Sequence, residues 1–249
     1  MSYREYRPHP ALAPHVACLW TLRVAGPVSA TAPHVHRVLP DNCIDILWQD
    51  GGTAAFAVGM MSASILVPAS RPVRTVGVRF KPGAAGLFLG LPLAELTDTR
   101  AGLADLWGSA AAARLDDALW TSELADAQRV AILERELLGR LALAGPGQPT
   151  LALRAVAAFE AAHGDLRIES VAERLGVSRQ HFALQFRQQV GLSPKLFARI
   201  CRFRRALALL REPGRTEDMT TLAADCGYFD QSHLIRDFHD FANAAPGGL

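Results

Sequence analysis

Two stretches within the last hundred residues repeat each other, and this repeat constrains the fold more than any other feature. Val171-Ala172-Glu173-Arg174-Leu175-Gly176 recurs as Leu222-Ala223-Ala224-Asp225-Cys226-Gly227, with aligned pairs 51 residues apart. Downstream, Phe182 and Phe186 echo Leu234 and Phe238 at an offset of 52, so the second copy holds one extra residue in its turn. Each copy has the grammar of a helix-turn-helix. A small residue (Ala172, Ala223) lets a second helix approach, and a glycine (Gly176, Gly227) supplies the positive φ of a tight turn. The next apolar residue (Val177, Tyr228) plugs the space between the helices, and Ser178 is placed to N-cap the helix that follows. One such pattern also fits an ordinary helical corner; two at matched spacing point to a tandem unit.

A segment of about 17 residues from Pro194 to Leu210 joins the copies, and at ~1.5 Å per residue it forms a rod of roughly 26 Å. Its buried stripe reads Leu196, Phe197, Ile200, Phe203, Leu207 and Leu210, with Lys195, Arg199, Arg202 and Arg205 largely off it. Charge is distributed to match. The whole chain sums to only +2, yet positions 174 to 211 hold nine basic residues and no acid. Positions 216 to 249 hold six acids (Glu217, Asp218, Asp225, Asp230, Asp237, Asp240) against Arg236 alone. A basic run over the first unit and the rod fits phosphate contact, so binding to nucleic acid is expected to be led by the first unit.

The first half has another texture. Ile44 to Trp48 is a compact apolar run, Asp50-Gly51-Gly52 is turn chemistry, and Ala54 to Val58 is a partner strand. In Arg74 to Phe80 the residues Val76, Val78 and Phe80 share one face and Arg79 lies opposite. From about 103 to 143 the period turns helical; Leu124, Val130, Leu133, Leu137 and Leu141 form a stripe that either packs on its own domain or offers an interface for a second copy. Ala144-Gly145-Pro146-Gly147-Gln148-Pro149-Thr150 reads as a linker. The expected fold is α+β: a small β-barrel with a helical pair over 1–145, then an all-α domain over 150–249 with two helix-turn-helix units joined by a long helix.

The segments SVAERLGVSRQHFALQFRQQVGLSPKLF, RFRRALALL and TLAADCGYFDQSHLIRDFHDF resemble the DNA-binding domain of the AraC/XylS family of bacterial transcription regulators, over residues 155 to 246. The pieces R-V-L-P-D-N-C-I-D-I-L, G-V-R-F-K-P-G-A-A and E-L-T-D resemble an uncharacterised sensor-type domain found ahead of it in such regulators. The resemblance implies a cupin-like barrel that senses a small effector or dimerises. It also implies double-stranded DNA as partner, and RNA polymerase where the regulator activates. Carried over by motif, the first recognition helix starts at Ser178 and turns Arg179, Gln180, Ala183, Leu184 and Arg187 outward, with Phe182 and Phe186 inward. Leu184 stands where the family usually has arginine; it is read as a packing residue, with contact to a thymine methyl as the other reading. Arg202 matches an arginine of the connecting helix that serves backbone contact or domain packing. The second recognition helix turns Gln231, Ser232, His233 and Arg236 outward. The family's closing G-x-T/S-P is replaced by Ala242-Asn243-Ala244-Ala245-Pro246.

His34 and His36 alternate on a strand and are effector candidates together with Arg79, which can hold an anion or pair with Asp41 or Asp45. The same H-x-H keeps open an alternative of another class, a cupin-type metalloenzyme with a helical accessory domain. Further ligands would come from His15, Asp41 or Asp45, none at a telling spacing, so neither metal nor cofactor is assigned. The four cysteines form no C-x-x-C pair, and the chain shows neither a signal-peptide pattern nor an apolar run of membrane-span length. A cytoplasmic, non-enzymatic regulator is the expectation.

Overall fold

The computed structural model describes residues 1–24, 34–69, 72–145, 150–212 and 218–249. The first half is built on a six-stranded antiparallel sheet. Its order is β1 (Ser2–Tyr6), β2 (Val16–Val24), β7 (Val73–Phe80), β4 (Ile44–Gln49), β5 (Phe56–Val58), β8 (Arg100–Gly102). Strands β3 (His34–Val38) and β6 (Ile65–Ala69) pair separately as a two-stranded ribbon. Alternation sets the inner face: Ile44, Ile46 and Trp48 of β4 and Val76, Val78 and Phe80 of β7 are buried. Gly77, on the opposite face of β7, lies under Trp20; a Cβ there would come within 2.5 Å of the indole ring. An antiparallel β domain ahead of an all-helical domain is what the structure shows; among the described residues the strands expected as a small barrel pair as an open six-stranded sheet and a separate ribbon.

From residue 103 the expected helical pair is three helices. Short α1 (Gly86–Leu89) lies ahead of a 3-10 turn at Leu93–Leu96; then come α2 (Leu103–Trp107), α3 (Ser109–Trp120) and α4 (Asp126–Ala144). Gly108, at φ 85°, breaks α2 from α3. Arg129 is buried beneath the α3–α4 connection. Its Nε donates to the Leu119 carbonyl at 3.0 Å, its Nη1 to the Leu124 carbonyl, and its guanidinium lies 4.9 Å from the Trp120 ring centre. The stripe on α4 resolves against the interface reading: Val130, Leu133 and Leu137 are buried in the chain's own core.

The second half runs α5 (Leu151–Ala161), α6 (Ile168–Arg174), α7 (Arg179–Val190), α8 (Pro194–Leu210), α9 (Met219–Asp225) and α10 (Gln231–Ala242). The proline-glycine linker falls mostly at 146–149, outside the described residues; at its end Thr150 caps α5 by accepting from Leu153 N at 3.2 Å. Among the described residues, no helix is long and apolar enough to cross a membrane.

The two halves are packed together. The 3-10 turn lies against the C-terminal end of α7, where Thr97 Oγ1 donates to the Gly191 carbonyl at 2.6 Å. Asn42, before β4, sends its Nδ2 to the Phe197 carbonyl at 3.2 Å and to Cys201 Sγ at 3.4 Å, both on α8. A cleft of about 1260 Å³ opens between the halves; His15, Lys81, Leu87, Leu93, Leu153 and Glu160 are among its walls.

Candidate nucleic-acid interface

Both units close as their local chemistry dictates. Gly176 and Gly227 sit at φ 70° and 72°, the left-handed region that an L side chain enters only with strain. Ser178 caps α7 by accepting from His181 N, and Asp230 caps α10 by accepting from His233 N. Behind α7, Phe182 and Phe186 are fully buried beside Phe159 and Phe197; behind α10, Leu234 and Phe238 are equally buried, with Phe203 against Phe238 and Phe241. Ser193 caps α8, and Pro194 starts it where a missing N–H costs nothing. Asn243 resolves the altered C-terminal element. It takes φ 50° and closes α10 by donating its N–H to the His239 carbonyl, so asparagine fills the left-handed cap that glycine usually occupies.

The outward faces carry most of the expected residues. Ser178, Arg179, Gln180 and Arg187 are exposed on the first unit and Gln231, Ser232 and Arg236 on the second. Arg179 also lies 3.1 Å from Glu169 in a pair open to solvent on both sides. Ala183 is half-buried. His233 is half-buried too, its ring set edge-on to Tyr228 at 5.2 Å, so it shares its outward placement with packing against the turn. Arg202 faces inward: Nη1 donates to the Gly164 carbonyl at 2.9 Å and the guanidinium lies over the Tyr228 ring. Of its two readings, domain packing is the one the geometry realises. Leu184 corrects the packing reading, because its side chain is 55% exposed at the centre of the outward face of α7.

The charge map changes once partners are known. Arg199 of the basic rod donates from Nε (3.0 Å) and Nη2 (2.6 Å) to Asp237 Oδ1, and from Nη2 to Asp240 Oδ2 at 2.5 Å. Asp237 is 1% exposed, so this pair ties α8 to α10 from inside. Asp218 and Asp230 cap α9 and α10, where the helix dipole favours negative charge. Four acids of the second unit therefore have structural posts; only Asp237 is withdrawn from the surface, and Asp218, Asp230 and Asp240 stay exposed there. Glu217 lies outside the described residues.

The three effector candidates are not brought together. His36 is exposed on the two-stranded ribbon, and the His34 side chain lies outside what is described. Arg79 is engaged by two carboxylates, with Nε at 3.2 Å from Asp45 Oδ2 and 3.6 Å from Asp41 Oδ2. The cluster carries an excess of acid, which makes Arg79 a poor receptor for an anion. Among the described residues, no three His, Cys, Asp or Glu side chains gather as a metal site. Sequence reasoning missed Phe229, which is 93% exposed immediately ahead of the α10 cap. The available signal was the extra residue in the second turn: Tyr228 fills the plug position, which leaves Phe229 as the insertion.

Comparison with known proteins follows this division. Residues 4–102 match a family described as a domain of unknown function (DUF6597), and residues 171–249 match a helix-turn-helix domain family. An uncharacterized HTH-type transcriptional regulator of Haemophilus influenzae is 28% identical over 91 residues, covering 36% of this chain. The chain spans 30% of that relative's length. Among solved structures, an AraC-type DNA-binding regulator of Chromobacterium violaceum is 24% identical over 39% of this chain and 86% of its own, with a TM-score of 0.36. The DNA-binding domain of AdpA in complex with a target DNA is 25% identical over 41% of this chain and 88% of its own, with a TM-score of 0.36. ToxT of Vibrio cholerae O395 aligns over 86% of this chain and 94% of its own at 11% identity and a TM-score of 0.44. The chain thus joins an N-terminal region that matches DUF6597 to a C-terminal region that matches a helix-turn-helix domain.

Proposed function

We propose that the protein is a sequence-specific regulator of transcription that places α7 and α10 in successive major-groove segments on one face of double-stranded DNA. The observation that carries this reading is the pair of capped helices with buried aromatic or aliphatic backs and exposed polar faces, held by one rigid rod. Arg179 and Arg187 supply phosphate or guanine contacts on the first helix, and Gln231 and Arg236 supply adenine and guanine contacts on the second. The N-terminal half acts as the sensor. It grips the far end of α7 through Thr97 and the rod through Asn42, so a small effector seated in the cleft between the halves would bear on the first recognition helix directly. A second copy and, for an activator, RNA polymerase complete the set of partners; no catalytic step is assigned. Acting on bacterial DNA, the protein would work in the cytoplasm.

The test is salt-dependent binding to a duplex selected with the full chain. Arg179→Ala and Arg187→Ala remove exposed cations and leave the buried faces intact. Each should weaken binding. Where the arginine neutralises a phosphate, its removal should also reduce the slope of log affinity against log salt by about 1. Unchanged affinity and slope in both variants would overturn the docking arrangement.

A further inference from the structure

Two large apolar side chains stand in solvent, Leu184 on the α7 face assigned above to the bases and Phe229 at the entry of α10. A lone exposed apolar residue is ordinary. These two are set apart by position. At 100° per residue, Leu184 lies about 200° from both Phe182 and Phe186. It is therefore opposite the buried face, between Gln180 one turn before and Arg187 one turn after. At the equivalent place in the second unit the chain has Arg236, between Leu234 and Phe238. The first helix thus presents an aliphatic group where the second presents a guanidinium.

Phe229 is the inserted residue of the second turn. It immediately precedes the cap of α10, where an apolar side chain commonly folds back onto the fourth helical residue as a hydrophobic staple. That residue is Leu234, already fully buried, and Phe229 does not reach it. Tyr228 fills the plug position, and the extra residue is left exposed two and three positions ahead of the exposed Gln231 and Ser232. In the first unit Val177 occupies the position before the cap and is half-buried. So the second turn uses a residue to hold an aromatic ring at the entry of its recognition helix.

Only one group on the major-groove edge of DNA offers an apolar surface, the C5-methyl of thymine. We propose that Leu184 and Phe229 each read a thymine methyl, one in each groove segment. The bound site then carries a thymine beneath each, flanked by bases read by polar neighbours. This rests on the DNA-binding reading above, and the test separates the two. A duplex is selected from a random pool with the full chain, and each thymine is replaced singly by uracil, which lacks only the methyl. Native protein should lose about fourfold in affinity at one position per segment, the effect of one buried methyl-sized group. Leu184→Ala should abolish the loss in the first segment and keep it in the second; Phe229→Ala should do the reverse. Both residues are exposed, so the variants should keep the native melting temperature. Equal binding to thymine and uracil duplexes at every position would overturn the inference and leave the DNA-binding reading intact. Methyl dependence that persists in both variants would do the same. A sharply bent duplex with no methyl effect in its second segment would make Phe229 a wedge between base pairs and overturn its half. Failure to select any duplex would overturn the underlying reading, and the inference with it.

Discussion

At Asp41, Arg79 and Asp45 two carboxylates share one guanidinium in a poorly solvated place. Burial pushes the Asp45 carboxyl up to about 6, with Asp41 adding to the push while Arg79 and the indole of Trp20 oppose it. Trp20 Nε1 donates to Asp45 Oδ1 at 2.8 Å, so the acid is held whichever form it takes. In the unfolded chain an aspartate titrates at about 4. Between these values the folded chain keeps a proton that the unfolded chain has lost. The group's contribution to stability is therefore complete below about pH 4 and is lost as the pH rises through about 6. Asp45→Asn resembles the protonated form and should remove this dependence. Urea unfolding at a series of pH values is expected to show native stability falling between pH 4 and 7 more steeply than that of the variant; parallel curves would contradict it. The sequence placed Arg79 opposite the buried face of β7 with Asp41 and Asp45 as candidate partners beside an anion, and the register β4–β7 realises the pairing with the acids. Strand pairing decides that, and it joins residues far apart in the chain.

The two helix-turn-helix turns share a grammar but not a lock. Gly176 has open space where a Cβ would go, whereas a Cβ on Gly227 would come 2.7 Å from Asp165 Cγ and 3.0 Å from its Cβ. Both positions carry a left-handed φ, so alanine at either should cost about 1–2 kcal/mol. At Gly227 the crowding against Asp165 adds to that by about 1 kcal/mol or more. Gly227→Ala should thus lower stability more than Gly176→Ala, and adding Asp165→Ala should recover much of the difference, a coupling that urea unfolding of the double variant measures. Equal destabilisation at the two glycines would show that the contact with Asp165 is unimportant. These elements were largely legible in advance because their determinants lie within one turn of each other: Ser178 and Ser193 as caps, Pro194 at a helix start, Phe182 and Phe186 on one face. What was not legible depends on partners about 40 residues away. Arg199 belongs to a basic run in the sequence, but the fold sets Asp237 and Asp240 of α10 on it, and Leu184 is 55% exposed rather than packed.

For the whole molecule the decisive feature is that the sheet half and the helical half share one apolar core, pinned by the side chains of Asn42 and Thr97 onto α8 and the turn after α7. Asn42 sits at φ 62° and is 3% exposed, so its amide acts at the junction rather than in solvent. Its Nδ2 holds α8, while Thr97 holds the turn after α7, where Gly191 brings its backbone close to the Leu93 carbonyl. A tie at that end fixes the tilt of the recognition helix against the rod, and preorganised elements bind with less loss of freedom. Asn42→Gly keeps the left-handed backbone and removes the amide, and Thr97→Val removes only the hydroxyl. Together they should lower stability by about 2 kcal/mol, roughly 1 kcal/mol for each polar side-chain group removed. Native protein is expected to unfold in one calorimetric transition, and the double variant in two, the helical half separating from the sheet half. The same variant should bind a selected duplex more weakly than native protein at equal salt, with an unchanged salt slope, because the arginines proposed to meet phosphate are untouched. A single transition with native affinity would mean that apolar packing alone holds the halves, and that Asn42 and Thr97 do not couple the sheet half to α7.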